Sequence, residues 1–156
     1  MNQEEMEYVG FWARLGASVI DSILLLIVIV PPLVAIYGWE YFDAEATGLV
    51  AGPADFIISW ILPAVAVLGF WLYKQATPGK MAVSARVVDE DTGETITLGQ
   101  SVIRYLAYII SSIPLCLGFL WIAFDSKKQG WHDKLAGTVV VRPKKHGVQA
   151  ARTRAA

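Results

Sequence analysis

The sequence predicts an all-α membrane bundle: two transmembrane helices, a broken third hydrophobic block, and a small β-hairpin or sheet on the cytoplasmic side. Three observations lead there. The chain is 55% hydrophobic with only 17% of its residues charged, against roughly 25% in soluble domains. Apolar runs long enough to cross a bilayer recur along it. Its lysines and arginines gather on one side of those runs, the bias that marks a cytoplasmic face. At 156 residues there is room for one domain and a few spans, hence a helical bundle rather than a large barrel.

The opening stretch MNQEEMEYVG is acidic and lacks the basic start and small-residue cleavage site of a signal peptide, so the first apolar segment is expected to stay in the mature protein. That segment runs over residues 11–37, with Pro31 and Pro32 expected to bend or end it, because proline removes a backbone donor and clashes one turn back. The second span, FIISWILPAVAVLGFWLY at residues 56–73, is uncharged and covers roughly 27 Å at about 1.5 Å per residue. The loop between them carries Glu40, Asp43, Glu45 and Asp55 and no basic residue, whereas Lys74, Lys80, Arg86 and Arg104 follow the second span. The amino terminus is therefore placed in the cytoplasm and the acidic loop outside.

The third block, residues 101–124, poses a conflict. As one straight span it would send the carboxy-terminal segment outside, together with most of the chain's 13 basic residues. Pro114 and Gly118 suit a break at its midpoint, which favours a re-entrant hairpin over a third span, with both termini then cytoplasmic. Broken backbone at membrane depth needs protein or a polar cavity around it, so the hairpin should pack on the other helices or on a neighbouring subunit. Between the second and third blocks, residues 82–98 alternate around Val83, Ala85 and Val87, turn through Asp91–Thr92–Gly93 and resume in ETITL, the pattern of a β-hairpin. GTVVVR at residues 137–142 is a third β-prone piece. Residues 1–142 thus make the membrane domain, and residues 143–156 a basic tail expected to be disordered.

The candidate functional residues are charges where lipid should exclude them. Arg14 and Asp21 are seven positions apart in the first span, on one face with roughly 10 Å of rise between them. Charge in hydrocarbon is costly and faces a bundle interior, a water cavity or a partner on another helix. Arg14 lies near enough to the helix entry to reach the headgroups. Asp21 has no such escape: it is either a packing lock held by a basic partner or a proton or cation site. Arg104 is a candidate partner for Asp21, and Asp133, in FDSKKQGWHDKLAGTVVV, a candidate partner for Arg14. His132 beside Asp133 does not make a metal centre, since adjacent residues do not point at one ion. TPGK at residues 77–80 lacks the spacing of a phosphate-binding loop and is taken as a turn with an interfacial lysine. The six tryptophans, mostly near block ends, suit interfacial anchoring. Cys116, the one cysteine, is taken as a small buried apolar residue. No nucleophile stands with a base, so neither an enzyme nor a cofactor or metal is expected, and nothing points to nucleic acid.

ARLGASVID in the first span, TPGKMAVSARVVD after the second, and GFLWIAFDSKKQGWHDKLAGTVVV together resemble the RDD family, named for one arginine and two aspartates. The likeness covers about residues 10–142. Residue by residue, the trio falls on Arg14, Asp21 and Asp133, with Asp125 the rival for the last place. The resemblance implies a small, mostly prokaryotic, multi-spanning membrane protein of largely unsettled function, with cation/proton exchange suggested for some members. The expected function is accordingly ion or proton-coupled transport through a buried Arg/Asp network in an inner-membrane homo-oligomer. The alternative is a non-transporting assembly or accessory protein that binds a partner through its cytoplasmic face.

Overall fold

The computed structural model describes residues 6–43, 49–112 and 117–144. Two helices are long and apolar enough to cross a membrane. The first, α1 (Phe11–Tyr37), runs through Pro31 and Pro32, so the prolines do not end it. A helix in lipid tolerates proline where neighbouring groups take up the freed carbonyls. Gly38 ends it instead, at φ 74° with its N–H donated to the Val34 carbonyl.

The second candidate span runs over Pro53–Lys74. It begins as the short helix α2 (Pro53–Asp55), passes through a π-helical stretch at Phe56–Ile61 and continues as α3 (Leu62–Lys74). Pro63 lacks an N–H and its ring would press on the carbonyl one turn earlier, and the widened turn just before it absorbs that defect. Little of either span is buried within the chain: 6% of each apolar window. Their outer surfaces are left for lipid or for other copies.

Next come α4 (Pro78–Ala82) and the strand β2 (Arg86–Asp89). The expected hairpin is reduced: opposite β2 there is one isolated bridge, Val88 to Thr95, across a turn in which Asp89 accepts hydrogen bonds from the Asp91 and Thr92 amides. The sheet is built elsewhere. Its central strand is β3 (Thr138–Pro143), flanked antiparallel by β2 and by the amino-terminal β1 (Met6–Tyr8), in the order β1-β3-β2. Arg86 stands opposite Val141, and Tyr8 opposite Val141 from the other side. Val9, Val87 and Val140 pack with Trp71, Ala85 and Ile96 in one core, which joins the sheet to the base of the second span.

The third block is broken. Helix α5 (Leu98–Ser112) starts at a capping box, in which Thr97 and Gln100 each bond the other's backbone amide. At 15 residues it is about 22 Å long, short of a roughly 30 Å hydrocarbon core. A short helix α6 (Leu117–Leu120) follows, and Gly118 lies so close to Ser111 that a Cβ there would stand 2.8 Å from the Ser111 Cα. Seven residues of continued helix would separate them by about 10 Å, so α5 and α6 are not parts of one straight helix. Cys116 and Pro114 lie outside the described residues, as does the tail from residue 145. Helix α5 is also inverted relative to a soluble amphipathic helix: Ser101, Arg104 and Ser111 are buried, while Val102, Ile103, Leu106, Ile109 and Ile110 are exposed. A polar inside and an apolar outside suit lipid as the solvent. The last helix, α7 (Trp131–Ala136), packs along α5 and ends at Gly137, φ 61°, which leads directly into β3.

Candidate functional site

The site forms where α1, α4, α5 and α7 meet above the sheet. Asp133, with no exposed surface, is its centre. It sits in the first turn of α7, where its Oδ2 accepts the Gly130 amide at 2.9 Å, so one carboxylate caps its own helix and serves as counter-ion. Arg14 Nη1 pairs with Oδ2 and Arg104 Nη1 with Oδ1. Arg14 spends its other donors on backbone: Nε on the Val9 carbonyl at 3.0 Å and Nη2 on the Lys128 carbonyl at 2.6 Å. It thereby ties the end of β1 and the loop before α7 to the first span. Arg104 Nη1 also reaches Thr138 Oγ1 at 2.5 Å, which anchors β3 to α5.

Burial alone would raise the Asp133 carboxyl, but the two guanidiniums and the Gly130 amide overcome it and hold the group well below the usual carboxylate range. His132 goes the other way from an ordinary imidazole. Burial pushes it down to about 3, against the pull of Asp133, so it is neutral at physiological pH. Its ring stacks on Tyr108 at 4.2 Å, and Phe119 closes over both.

Lys80 is the residue the sequence misplaced. Taken as interfacial, it is 7% exposed, because α4 folds back against α1. Its Nζ lies 3.4 Å from the Tyr108 hydroxyl and 5.5 Å from the centre of the Trp71 ring. No ion pair between Lys80 and a carboxylate is seen among the described residues. Burial lowers its pKa, with the positive charges of Arg104 and Arg14 acting in the same direction and Tyr108 and Asp133 against. Trp71 is likewise buried and does not anchor at an interface, in contrast to Trp12, Trp39, Trp60 and Trp121, which are exposed. The Arg104 guanidinium lies 5.2 Å from the Trp71 ring centre.

Asp21 stands apart from this cluster. Expected opposite Arg104, it faces α4: Thr77 Oγ1 donates to its Oδ2 at 2.5 Å and the Gly79 amide to its Oδ1 at 2.7 Å. The first turn of α4 has no side-chain cap of its own, and Asp21 supplies one from another helix. Gly79 is what lets the two helices touch, since a Cβ there would fall 1.9 Å from the Ala17 carbonyl oxygen. Asp125 joins neither group; it pairs with Lys134 at 2.5 Å and accepts the Lys127 and Gln129 amides, which shapes the loop into α7. The structure thus brings together Arg14, Asp133 and Arg104, and leaves Asp21 and Asp125 in separate contacts.

Sequence reasoning missed Lys80 and, at the far end of the spans, Asp55. The Asp55 carboxylate is buried and accepts Tyr41 OH and Ser59 Oγ, each at 2.7 Å, and the Ala51 amide at 2.8 Å. This fastens the loop between the spans to the second one. The signal for Lys80 was present in Thr-Pro-Gly, a helix start with proline in the first turn, which puts the lysine on a helix rather than in a free turn.

The chain is similar to Uncharacterized protein YxaI of Bacillus subtilis, 33% identical over 146 residues, which cover 85% of this chain and 95% of that one. It is 45% identical to Uncharacterized protein RP437 of Rickettsia prowazekii over 73 residues, 47% of this chain and 40% of that one. It is also 32% identical to the Proline-rich antigen of Mycobacterium leprae over 104 residues, 64% of this chain and 41% of the antigen's length. No solved structure matches it significantly. The RDD family pattern fits residues 8–137, a stretch that holds both spans, Arg14, Asp21 and Asp133; the chain belongs to the RDD family.

Proposed function

We propose that this membrane protein moves an ion or small solute across the bilayer in a proton-coupled manner, with the sheet side facing the cytoplasm and two or more copies completing the walls of the path. The observation that carries this reading is Lys80: a buried lysine with no carboxylate partner among the described residues, beside the Arg14–Asp133–Arg104 frame. A purely structural position would be filled more cheaply by an apolar side chain, because an unpaired charge taken from water is strongly disfavoured. Burial disfavours the charged form of Lys80, and a lysine held this way is suited to take and release a proton. Asp21 in this reading is the cap that holds α4, and so Lys80, in place.

A specific observation favours a second reading. Both oxygens of Asp133 and both oxygens of Asp21 are engaged in contacts that fix one helix to another, as a non-transporting assembly protein would need. Purified protein in liposomes with an entrapped pH dye separates the two. Transport predicts a proton flux that Lys80→Met abolishes and Asp125→Asn leaves within about twofold. A folded protein with no flux under any imposed ion gradient supports the assembly reading.

A further inference from the structure

We propose that Lys80, Arg104 and Trp71 form a binding site for a small oxyanion of the phosphate or sulfate type, at the sheet-side end of the spans. The inference rests on the reading of this cluster as a ligand site and goes further, to the sign and class of the ligand. Charge is the first ground. Three buried basic side chains, Arg14, Lys80 and Arg104, stand with one buried carboxylate in their cluster, Asp133. Asp133 is already shared by the two arginines. With Lys80 protonated the cluster carries excess positive charge away from water, a state that protein interiors avoid unless a counter-ion is present. A cation would worsen the imbalance, whereas an anion corrects it.

Unmet donors are the second ground. Trp71 Nε1 and Arg104 Nε are both buried with no acceptor in hydrogen-bonding reach. Orphaned buried donors are rare and point to an absent partner. Both can only donate, and both belong to side chains grouped at one place: Lys80 Nζ and the Arg104 guanidinium lie 5.5 and 5.2 Å from the Trp71 ring centre. An oxyanion brings several acceptor oxygens to such a group, and arginine is the side chain best matched to it. His132, neutral, stacks on the Tyr108 ring beside this group, and the Tyr108 hydroxyl lies 3.4 Å from Lys80 Nζ. Binding favours the charged form of Lys80, so the anion enters together with a proton wherever Lys80 is neutral beforehand. The groups that face Lys80 and set this balance are Tyr108 and Arg104 on α5, Arg14 on α1, and Asp133 on α7.

Sulfate, which does not titrate near neutrality, is the probe for the test. Isothermal titration of the purified full chain in detergent, repeated in buffers of different ionisation enthalpy, reads affinity and proton uptake together. Wild type is expected to bind sulfate with uptake of up to one proton. Lys80→Met should bind at least about tenfold more weakly, and Lys80→Arg should bind without proton uptake, because arginine is charged throughout. Circular dichroism confirms that each variant is folded. Inorganic phosphate and vesicles containing phosphatidylglycerol distinguish the source: competition by free phosphate alone assigns a soluble anion, and competition by the vesicles assigns a lipid headgroup. Folded wild type that binds no sulfate at millimolar concentration, or Lys80→Met that binds as wild type does, overturns the proposal. Flux without sulfate binding refutes the anion site and leaves transport standing. Sulfate binding without flux refutes transport and leaves the site.

Discussion

Arg14 and Asp133 lie 119 positions apart in the chain and meet in a buried ion pair, whose carboxylate is shared with Arg104 from a third segment. The sharing decides how the pair responds to mutation. Asp133→Asn leaves two guanidiniums buried against a neutral amide, and removal of one partner from such a pair costs about 3–5 kcal/mol. Chemical or thermal unfolding in detergent should show the loss. A simple exchange, Arg14→Asp with Asp133→Arg, is not expected to restore stability, because the new arginine would face Arg104. Recovery by that exchange would mean that Arg104 is not a partner of Asp133.

Acid stability reports on His132. Its folded value, about 3, lies below the ordinary 6.5, so protonation favours the unfolded chain. The stability tied to the neutral ring is complete above about pH 6.5 and is lost as the pH falls from there toward 3. Asp133, held below the usual carboxylate range, adds a loss only at more acidic pH. Melting temperatures of wild type should decline from about pH 6.5 to 4, and His132→Phe, which keeps an aromatic ring against Tyr108, should flatten that decline. An unchanged slope would place the titrating group elsewhere.

At Gly79 the expected effect is steric. Gly79→Ala places a methyl on the Ala17 carbonyl, and strain of this kind costs about 1–3 kcal/mol. Asp21→Ala should cost about 1 kcal/mol through the lost cap. Asp21→Asn keeps an acceptor for the Gly79 amide and should retain both fold and flux. Loss of flux in a fully stable Asp21→Asn protein would show that the Asp21 charge itself is used.

The ion pair between Lys127 and Glu90, 2.5 Å apart, puts the turn after β2 and the loop before α7 on one side, which the proposed topology makes the cytoplasmic one. Cysteines introduced at Glu94 and Lys127 in a Cys116→Ala background should be inert to an impermeant reagent in intact cells, and one at Leu49 should react. Labelling at Glu94 or Lys127 would invert the topology.

Much of the scaffold was legible because lipid imposes length and hydropathy on a span: the first helix runs over the expected residues, 11–37, and the second, residues 53–74, begins three residues before and ends one after the expected 56–73. That the third block is not one straight helix was legible from Gly118 and the charge that follows, while the expected break at Pro114 lies outside the described residues. The pairing of Arg14 with Asp133 could be anticipated from opposite sign and common depth, but Arg104 completing the triad could not, since periodicity does not show which face of α5 points inward when its polar side is the buried one. Strand β1 was invisible for another reason. Three residues carry no periodicity, and β1 forms because Val9 and Tyr8 find an edge on β3. Lys80 was misplaced because its burial depends on Gly79 letting α4 touch α1, a contact across 62 positions of sequence between Ala17 and Gly79.

The charge state of Lys80 is the most direct measure of the account. With the side chain labelled with nitrogen-15 and its amine resonance assigned by its loss in Lys80→Arg, an NMR titration in micelles reads its pKa without reference to transport. The expected result is an amine that titrates well below the roughly 10.4 of an ordinary lysine, moved down by burial, and that shifts upward when sulfate is added. Titration at or above the ordinary value, unmoved by sulfate, would mean that Lys80 is a solvated or permanently paired cation, and the buried ion-handling site would have to be abandoned.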